Sequence, residues 1–473
     1  MHKRIAVFGG SFNPPTLAHI AVVEVLVKDG YEVVIVPCGM RPEKITTRHV
    51  DPVHRAFMVD LAFARMSHVR VEHFDLEKEA FTPTIDLDQM MKHICADQYE
   101  AGAEVHHVVG TDLIQYGRDG HSQIQRTWKD GNRVWRELNF IVVDRPGYPI
   151  TDLDLPRRTI ELKGTFPYIS STQVREAIAA NRPIEDFVSE EVAQYINRYA
   201  LYRGVTLLRP APITLNLERV RVVVDPHNDR AMRLAEPFRH LEVDHHPTSI
   251  LVVGGDGTMV KAVRTYWKER TPFVGINAGM IGFLLNHPDK MQTPEAVKGI
   301  LSVHHLPFLH GRVEMIDGSI TEVMGVNDIW LERATLQTAA IQLKIDDKDV
   351  FAPQVFYGDA LICATPAGST AYAYNTGAPI MSIGSPDLMI AGASPARWLG
   401  WQHATVSRDV LVRMEGQQLQ KRPLRLGADD QSLEGVKAVT IRLSRVASFE
   451  LVHLPGADLR AKRMAMQFPA TSR

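Results

Sequence analysis

His19 closes the segment Gly9-Gly10-Ser11-Phe12-Asn13-Pro14-Pro15-Thr16-Leu17-Ala18-His19, which directly follows the apolar run Ile5-Ala6-Val7-Phe8. A strand that breaks on two glycines and restarts as a helix presents backbone N–H groups at a helix N-terminus, where polyphosphate binds well. The spacing predicts His19 on the first turn of that helix, where an imidazole can contact a phosphate whose charge rises during transfer. Ile169-Ser170-Ser171-Thr172-Gln173-Val174-Arg175 offers matching groups. Two hydroxyls fall at a predicted helix start and Arg175 one turn later, so N–H groups, hydroxyls and guanidinium can converge on phosphate oxygens; the alternative is an ordinary Ser/Thr N-cap. Gly254-Gly255-Asp256-Gly257-Thr258 repeats the glycine logic with Asp256 at the apex of the loop. It lacks the lysine of a P-loop. A carboxylate there can take a proton from a hydroxyl that is a poor nucleophile at neutral pH, and the glycines let phosphates approach the backbone. The alternative is a tight Gly-Asp-Gly turn.

The elements that must position these residues can be read from the pattern. Residues 1 to about 203 alternate apolar runs (Tyr31 to Pro37, Glu104 to Val109, Leu138 to Val143) with helical periods, which predicts a doubly wound parallel sheet. A helix from about Glu190 to Leu201, capped by Ser189 and ended by Gly204, carries Val192, Tyr195, Ile196 and Tyr199 on one face. Residues 204–217, with Pro210 and Pro212, read as a linker. A second α/β lobe spans 218–300, from the strand Arg221 to Val224 through Ile250 to Val253. From 301 to 473 strands separated by turn signals such as Asp317-Gly318 and Asp346-Asp347 predict a β-rich lobe with a C-terminal tail.

Composition narrows the partners. The 473 residues carry 53 Lys plus Arg against 55 Asp plus Glu, a balance with no long-range field for nucleic acid or an anionic membrane. Small molecules are the expected partners. Cys38, Cys95 and Cys363 are scattered and odd in number, which points to a reducing, cytoplasmic setting without a disulfide framework or zinc site. The opening apolar run is too short for a signal-peptide core, and no stretch approaches the roughly 20 apolar residues of a membrane span.

Thr16 to His19 resembles the (H/T)xxH signature of nucleotidylyltransferases. Together with Ser170 to Arg175, the segment is similar to the first and last signatures of the nicotinamide/nicotinate mononucleotide adenylyltransferases, and the likeness covers nearly all of residues 4 to 202. Gly110-Thr111-Asp112-Leu113, Trp128-Lys129 and Asp144 to Tyr148 look like further landmarks. The resemblance implies a Rossmann-like domain in which the mononucleotide's 5′-phosphate attacks the α-phosphorus of ATP in line, with Mg²⁺ bridging the phosphates. It assigns His19 to catalysis; Gly10, Ser11, Phe12, Thr16, Lys44, Ser170, Ser171, Thr172 and Arg175 to ATP; and Arg55, Thr84, Asp86, Gly110, Asp112, Trp128 and Arg145 to the mononucleotide. Leu87 departs from the family pattern, and a core role for Trp128 stays open.

GGDGT occurs in NAD kinases and in lipid kinases, and the residues C-terminal to it separate the two. Gly275 to Leu284, Asn327-Asp328, Gly358-Asp359 and Thr365-Pro366-Ala367-Gly368-Ser369-Thr370-Ala371-Tyr372 resemble, in order, the NAD kinase motifs. The resemblance implies an α/β lobe plus a β lobe, with Asp256 as the base for the adenosine ribose 2′-hydroxyl as it attacks the γ-phosphate of ATP. It assigns Gly254, Gly255, Gly257, Thr258, Asn277, Phe283, Asn327, Asp328, Asp359, Thr365, Thr370, Ala371 and Tyr372 to the dinucleotide and ATP. Ala367 stands where a hydroxyl residue is usual and is expected to cost a contact to adenine; Ala378 replaces a usual glycine.

The histidine pairs His106-His107, His245-His246 and His304-His305 place adjacent side chains apart and suggest no metal. Asp429-Asp430 reads as an exposed turn, and Met464 and Met466 as packing residues. The expected whole is a bifunctional enzyme that makes NAD or its acid form and phosphorylates NAD to NADP. Two alternatives are that only one half is catalytic while the other senses dinucleotide or serves assembly, and that the first half uses another acceptor such as phosphopantetheine. The amide or acid preference, ATP or polyphosphate as the kinase donor, and a homo-oligomer all stay open.

Overall fold

The computed structural model describes residues 3–40, 50–98, 102–145, 147–151, 154–204, 210–215, 217–297, 299–455, 462–464 and 466. The chain forms two compact units, Met1–Leu208 and Arg209–Arg473.

The first unit is built on six parallel strands: β1 (Lys3–Gly10), β2 (Glu32–Pro37), β3 (Val69–Val71), β4 (Ala103–Gly110), β5 (Asn139–Val143) and β6 (Thr159–Leu162), in spatial order β3-β2-β1-β4-β5-β6. Ile5, Ala6 and Val7 of β1 are buried, as a strand covered on both faces requires. Strand order reverses between β1 and β4, and in open α/β sheets ligands bind outside the carboxyl ends of the strands at such a point. Gly10 and Gly110 end these two strands. β1 does not break on its glycines as expected: it pairs with β2 through Gly9 and Gly10, and the helix Leu17–Lys28 starts only after Thr16. The helix Glu190–Tyr199 sets Val192, Tyr195, Ile196 and Tyr199 in the core. It ends on left-handed Ala200, four residues before the glycine expected to stop it.

In the second unit, β7 (Val220–Val224), β8 (Ser249–Gly254) and β9 (Phe273–Asn277) form a parallel set. The expected boundary at residue 300 does not divide the chain path. The 18-residue strand Val436–His453 pairs in parallel with β9 at Leu451 and antiparallel with Ser302–Met315 and Val412–Gly416, so one sheet runs from the α/β lobe into the β lobe. A six-stranded antiparallel sheet completes the β lobe, with Asp328–Arg333 between Ala360–Ala364 and Leu424–Ala428. Of the expected linker, Ile213 exchanges backbone hydrogen bonds with Leu301 and so belongs to the second unit, while 205–209 and 216 lie outside the described residues. The three cysteines are buried and unbridged. Among the described residues no helix is long and apolar enough to cross a membrane.

Candidate active sites

In the first unit, Thr16 is the N-cap of the helix Leu17–Lys28 and His19 lies in its first turn. The Thr16 N–H donates to His19 Nδ1 at 3.0 Å, and Thr16 Oγ1 lies 2.7 Å from the same nitrogen. Burial, reinforced by the positive charge of Arg145, lowers the His19 pKa to about 4. The ring is therefore neutral at pH 7, and because Nδ1 accepts, its proton sits on Nε2, which is left as a donor. Phe12 fixes the imidazole edge-on at 5.1 Å. Thr16 is fully buried and Phe12 is 1 % exposed, so both act on the ring and core instead of reaching a ligand by side chain.

Three more side chains hold the loop between β1 and this helix by its backbone carbonyls, and a fourth by the side chain of Asn13. Ser171 Oγ donates to Pro14 O (2.8 Å), Arg175 Nη1 to Asn13 O (2.7 Å), and Arg55 Nη2 to Ser11 O (2.6 Å) and Cys38 O (2.7 Å). Tyr202 Oη donates to Asn13 Oδ1 at 2.6 Å. Arg55, expected at the mononucleotide, is 1 % exposed and bonds these backbone acceptors instead. The Ser170 hydroxyl is engaged with Gln173 in a capping box, so the ordinary N-cap reading applies to it. Arg175, with Nη2 on Thr172 Oγ1, uses two of its five donors and keeps the others.

Across the switch point, Arg145 Nη1 donates to Asp112 Oδ2 at 2.7 Å, while the buried Asp112 Oδ1 has no partner. A Cβ on Gly110 would stand 2.3 Å from that oxygen, so glycine is needed there. Lys129 pairs with Asp86 at 2.9 Å, bringing the Trp128 segment beside the helix Thr84–Gln98, and Trp128 packs partly buried against the cluster that holds Ile85. Lys44 lies outside the described residues, as does Pro146 of the Asp144 to Tyr148 landmark.

In the second unit Gly255 is an N-cap and Asp256 the first residue of the helix Asp256–Tyr266, not the apex of a loop. Its oxygens accept from the backbone N–H groups of Phe283 (Oδ2, 2.9 Å) and Leu284 (Oδ1, 2.8 Å). Phe283 is 1 % exposed, so its contribution is this amide and core packing, not a side-chain contact to ligand. Asn277 Oδ1 accepts from Gly279 N–H, and its amide blocks any Cβ on Gly282, whose φ is +59°. Gly257 and Thr258 fall in the helix's first turn. Thr258 packs against Gly254, where a Cβ would stand 2.5 Å from its hydroxyl.

The β lobe gathers a second cluster. Thr365 is buried and hydrogen-bonds Val326 O and Gly368 N, which makes it a brace for the Asn327 segment instead of a ligand contact. Gly368 is pressed so close that a Cβ would lie 2.0 Å from Asn327 O. Asp429 was missed by reading its pair as an exposed turn. Its side chain is 2 % exposed, accepts from Val326 N (2.7 Å) and Asn327 N (2.8 Å), and pairs with Arg264 at 3.1 Å. Asn327 Oδ1 and Asp328 Oδ2 are buried without partners. Burial, and then the charge of Asp429, raises the Asp328 pKa to about 7. Tyr372 packs edge-on against Trp330 at 5.5 Å; burial, then the charges of Glu332, Asp359 and Asp328, raise its pKa. Asp359 pairs with Arg333 at 2.9 Å, Thr370 Oγ1 donates to Ala367 O, and Ala371 joins the Gly368–Thr370 turn to the helix Tyr372–Asn375. Ala367 is 3 % exposed within an apolar cluster that includes Met259, Phe283 and Ile380, so the hydroxyl expected to be missing there would meet hydrocarbon.

Comparison with known proteins matches the two stretches of chain that carry these sites to two families. Residues 7–177 match the cytidylyltransferase-like family, and residues 179–305 the ATP-NAD kinase N-terminal domain. An NAD kinase of Brucella suis is 32 % identical over 209 residues, covering 44 % of this chain and 80 % of its own length. The chain belongs to the NAD kinase family. A second NAD kinase, from Cereibacter sphaeroides, is 31 % identical over 224 residues, 46 % of this chain and 85 % of that protein. A yeast NADH kinase solved with NADH aligns over 56 % of this chain and 92 % of its own, at 16 % identity and a TM-score of 0.47. The kinase match begins at residue 179, yet the helix Glu190–Tyr199 packs into the first unit's core.

Proposed function

We propose that the chain performs two consecutive reactions of pyridine dinucleotide synthesis. In the first unit the 5′-phosphate of nicotinamide or nicotinate mononucleotide attacks the α-phosphorus of Mg-ATP in line and expels pyrophosphate. No protein nucleophile is needed, so catalysis rests on positioning and charge stabilisation. His19 Nε2–H donates to the phosphate oxygens, and the remaining Arg175 donors, the amide of Ser11, and Thr172 at the start of its helix receive the phosphate chain, with Gly10 at the strand end beside them. Asp112 Oδ1 accepts from the mononucleotide, with Arg145, Thr84, Asp86 and Trp128 around it. Lys44 is proposed on the phosphates from the sequence motif alone.

In the second unit the 2′-hydroxyl of NAD attacks the γ-phosphorus of Mg-ATP; its proton passes to Asp256 and ADP leaves. Each Asp256 oxygen already accepts one amide and keeps a second lone pair for the hydroxyl. Gly254, Gly255, Gly257 and Thr258 admit the phosphates to the backbone and Asn277 shapes the facing loop. The unpartnered oxygens of Asn327 and Asp328 receive donors from the dinucleotide, which removes the cost of leaving them unpaired, and Asp359, Thr370, Ala371 and Tyr372 line its pocket. Among the described residues no group of three or more His, Cys, Asp or Glu could hold an ion, and Mg²⁺ enters here as part of the nucleotide substrate.

The observation that carries this reading is that in each unit a glycine-ended parallel strand leads to a helix with the reacting side chain, His19 or Asp256, on its first turn. The test is the product profile of the purified chain given Mg-ATP with each mononucleotide separately. Dinucleotide followed by its 2′-phosphate is expected. Mononucleotide left unconsumed in either form would overturn the first assignment, and supplied NAD left unphosphorylated the second.

A further inference from the structure

The kinase reading leaves unused a half-buried cation that lies against the turn holding Asp256. Lys462, in the C-terminal segment, donates from Nζ to the carbonyl of Gly282 at 2.7 Å and to that of Leu285. Those carbonyls bracket the two residues, Phe283 and Leu284, whose amides hold Asp256. One turn of chain is therefore gripped from two sides, its amides by the carboxylate and its flanking carbonyls by the ammonium. Lys462 is desolvated there, which lowers its pKa, while the negative charge of Asp256 opposes the shift. Neighbouring His453, buried beside His304 at 5.2 Å, has its pKa lowered to about 3 by burial and stays uncharged at neutral pH, so it does not replace the ammonium.

Three further contacts show that this segment is seated on the kinase unit. Arg463 Nη1 donates to Ser382 Oγ, Tyr374 Oη donates to the carbonyl of Met466 at 2.8 Å, and Met466 packs against the cluster that contains Met259, Phe283 and Leu285. Met464 is half exposed. The cost of placing an ammonium in this desolvated turn is met by carbonyls whose only shared feature is that they flank the Asp256 amides.

We propose that Lys462 is a positioning residue for phosphoryl transfer: its ammonium fixes the turn Gly282 to Leu285 and, through the two amides inside that turn, the carboxylate of Asp256. This rests on the reading of Asp256 as the base. A base held off its line of approach loses rate more than substrate affinity, since the dinucleotide and ATP are gripped elsewhere.

The test uses the full chain with NAD and Mg-ATP. Lys462→Met keeps the apolar stem and removes the charge. It should lower kcat by about tenfold to a hundredfold while both KM values stay within about twofold. Lys462→Arg, whose fork can reach two carbonyls, should recover most of the rate. Tyr374→Phe leaves Lys462 in place but frees the Met466 carbonyl, and should lower kcat in the same direction by about two- to fivefold. Wild-type kcat in Lys462→Met, a loss confined to KM, or an arginine variant as poor as the methionine one would overturn the proposal. If Lys462→Met fails to fold, as judged by its melting and by calorimetric NAD binding, Tyr374→Phe decides, and an unchanged kcat there overturns it. Asp256→Asn measured alongside separates the two ideas. Activity retained in that variant refutes the kinase reading itself, whereas an inactive Asp256→Asn beside a fully active Lys462→Met refutes only the role of the lysine.

Discussion

The two glycine loops do opposite things with the same ingredients. In the first unit, side chains grip backbone: Arg55, Ser171 and Arg175 bond the carbonyls of Ser11, Asn13 and Pro14, and Tyr202 takes the side chain of Asn13. In the second, backbone grips a side chain: the amides of Phe283 and Leu284 hold Asp256, and those of Val326 and Asn327 hold Asp429. The difference follows from the charge each site handles. A loop that is to surround polyphosphate must turn its N–H groups inward, so its carbonyls point away and need donors from behind. A carboxylate that is to accept a proton must be aimed, and backbone amides fixed in a turn hold both of its oxygens in place.

The contrast is most severely tested at Arg55. Arg55→Met removes a guanidinium that is 1 % exposed and takes one donor from the half-buried carbonyl of Ser11 and one from the buried carbonyl of Cys38. Each such loss costs about 1–3 kcal/mol. Melting of the first unit should drop and adenylyl transfer should fall by more than about tenfold, while phosphorylation of supplied NAD changes less than about twofold. Intact adenylyl transfer in this variant would mean that the loop does not depend on side chains behind it.

A smaller effect of mixed sign is expected at Asp328, whose carboxyl is 3 % exposed with one oxygen unpartnered. Its pKa is about 7 in the folded protein against 3.8 for the free group, so between those values the native state binds the extra proton. Stability therefore rises as pH falls through this window, and the ionised carboxylate weighs on the fold above pH 7. Asp328→Asn should make the free kinase unit more stable at pH 8, with an advantage that fades toward pH 5. It should also raise KM for NAD about fivefold, because a charged acceptor becomes a neutral one. A variant less stable at pH 8, or one with unchanged KM, would remove Asp328 from the dinucleotide site.

Much of this was legible in the sequence because it is local. Apolar runs ending in glycine gave β1 and β8 and put His19 and Asp256 within a turn of the helix starts; the hydroxyls at the predicted helix start offered Ser170 as an ordinary N-cap, which it is. What escaped was long-range. Tyr202 meets Asn13 across 189 positions, Arg175 reaches Asn13 across 162, and Lys462 reaches Gly282 across 180. No pattern within a helix or strand encodes such a meeting. Polar residues were misplaced for the same reason: Arg55, Thr16, Thr365 and Asp429 resemble ligand-facing or exposed groups until the backbone atoms they satisfy are known. Ala367 shows the converse, since a residue that departs from a motif can be the one its apolar surroundings require.

Two sites with separate machinery on one chain can be told apart most directly by paired variants. His19→Ala should lose adenylyl transfer yet convert supplied NAD to NADP. Asp256→Asn should make the dinucleotide and stop there, with a loss of phosphorylation of about a hundredfold to ten-thousandfold, the usual contribution of a general base. Given mononucleotide and Mg-ATP, neither variant alone should yield NADP, whereas a mixture of the two should do so after a lag while NAD diffuses between molecules. Loss of both activities from either folded variant, or a mixture that never forms NADP, would contradict two independent sites.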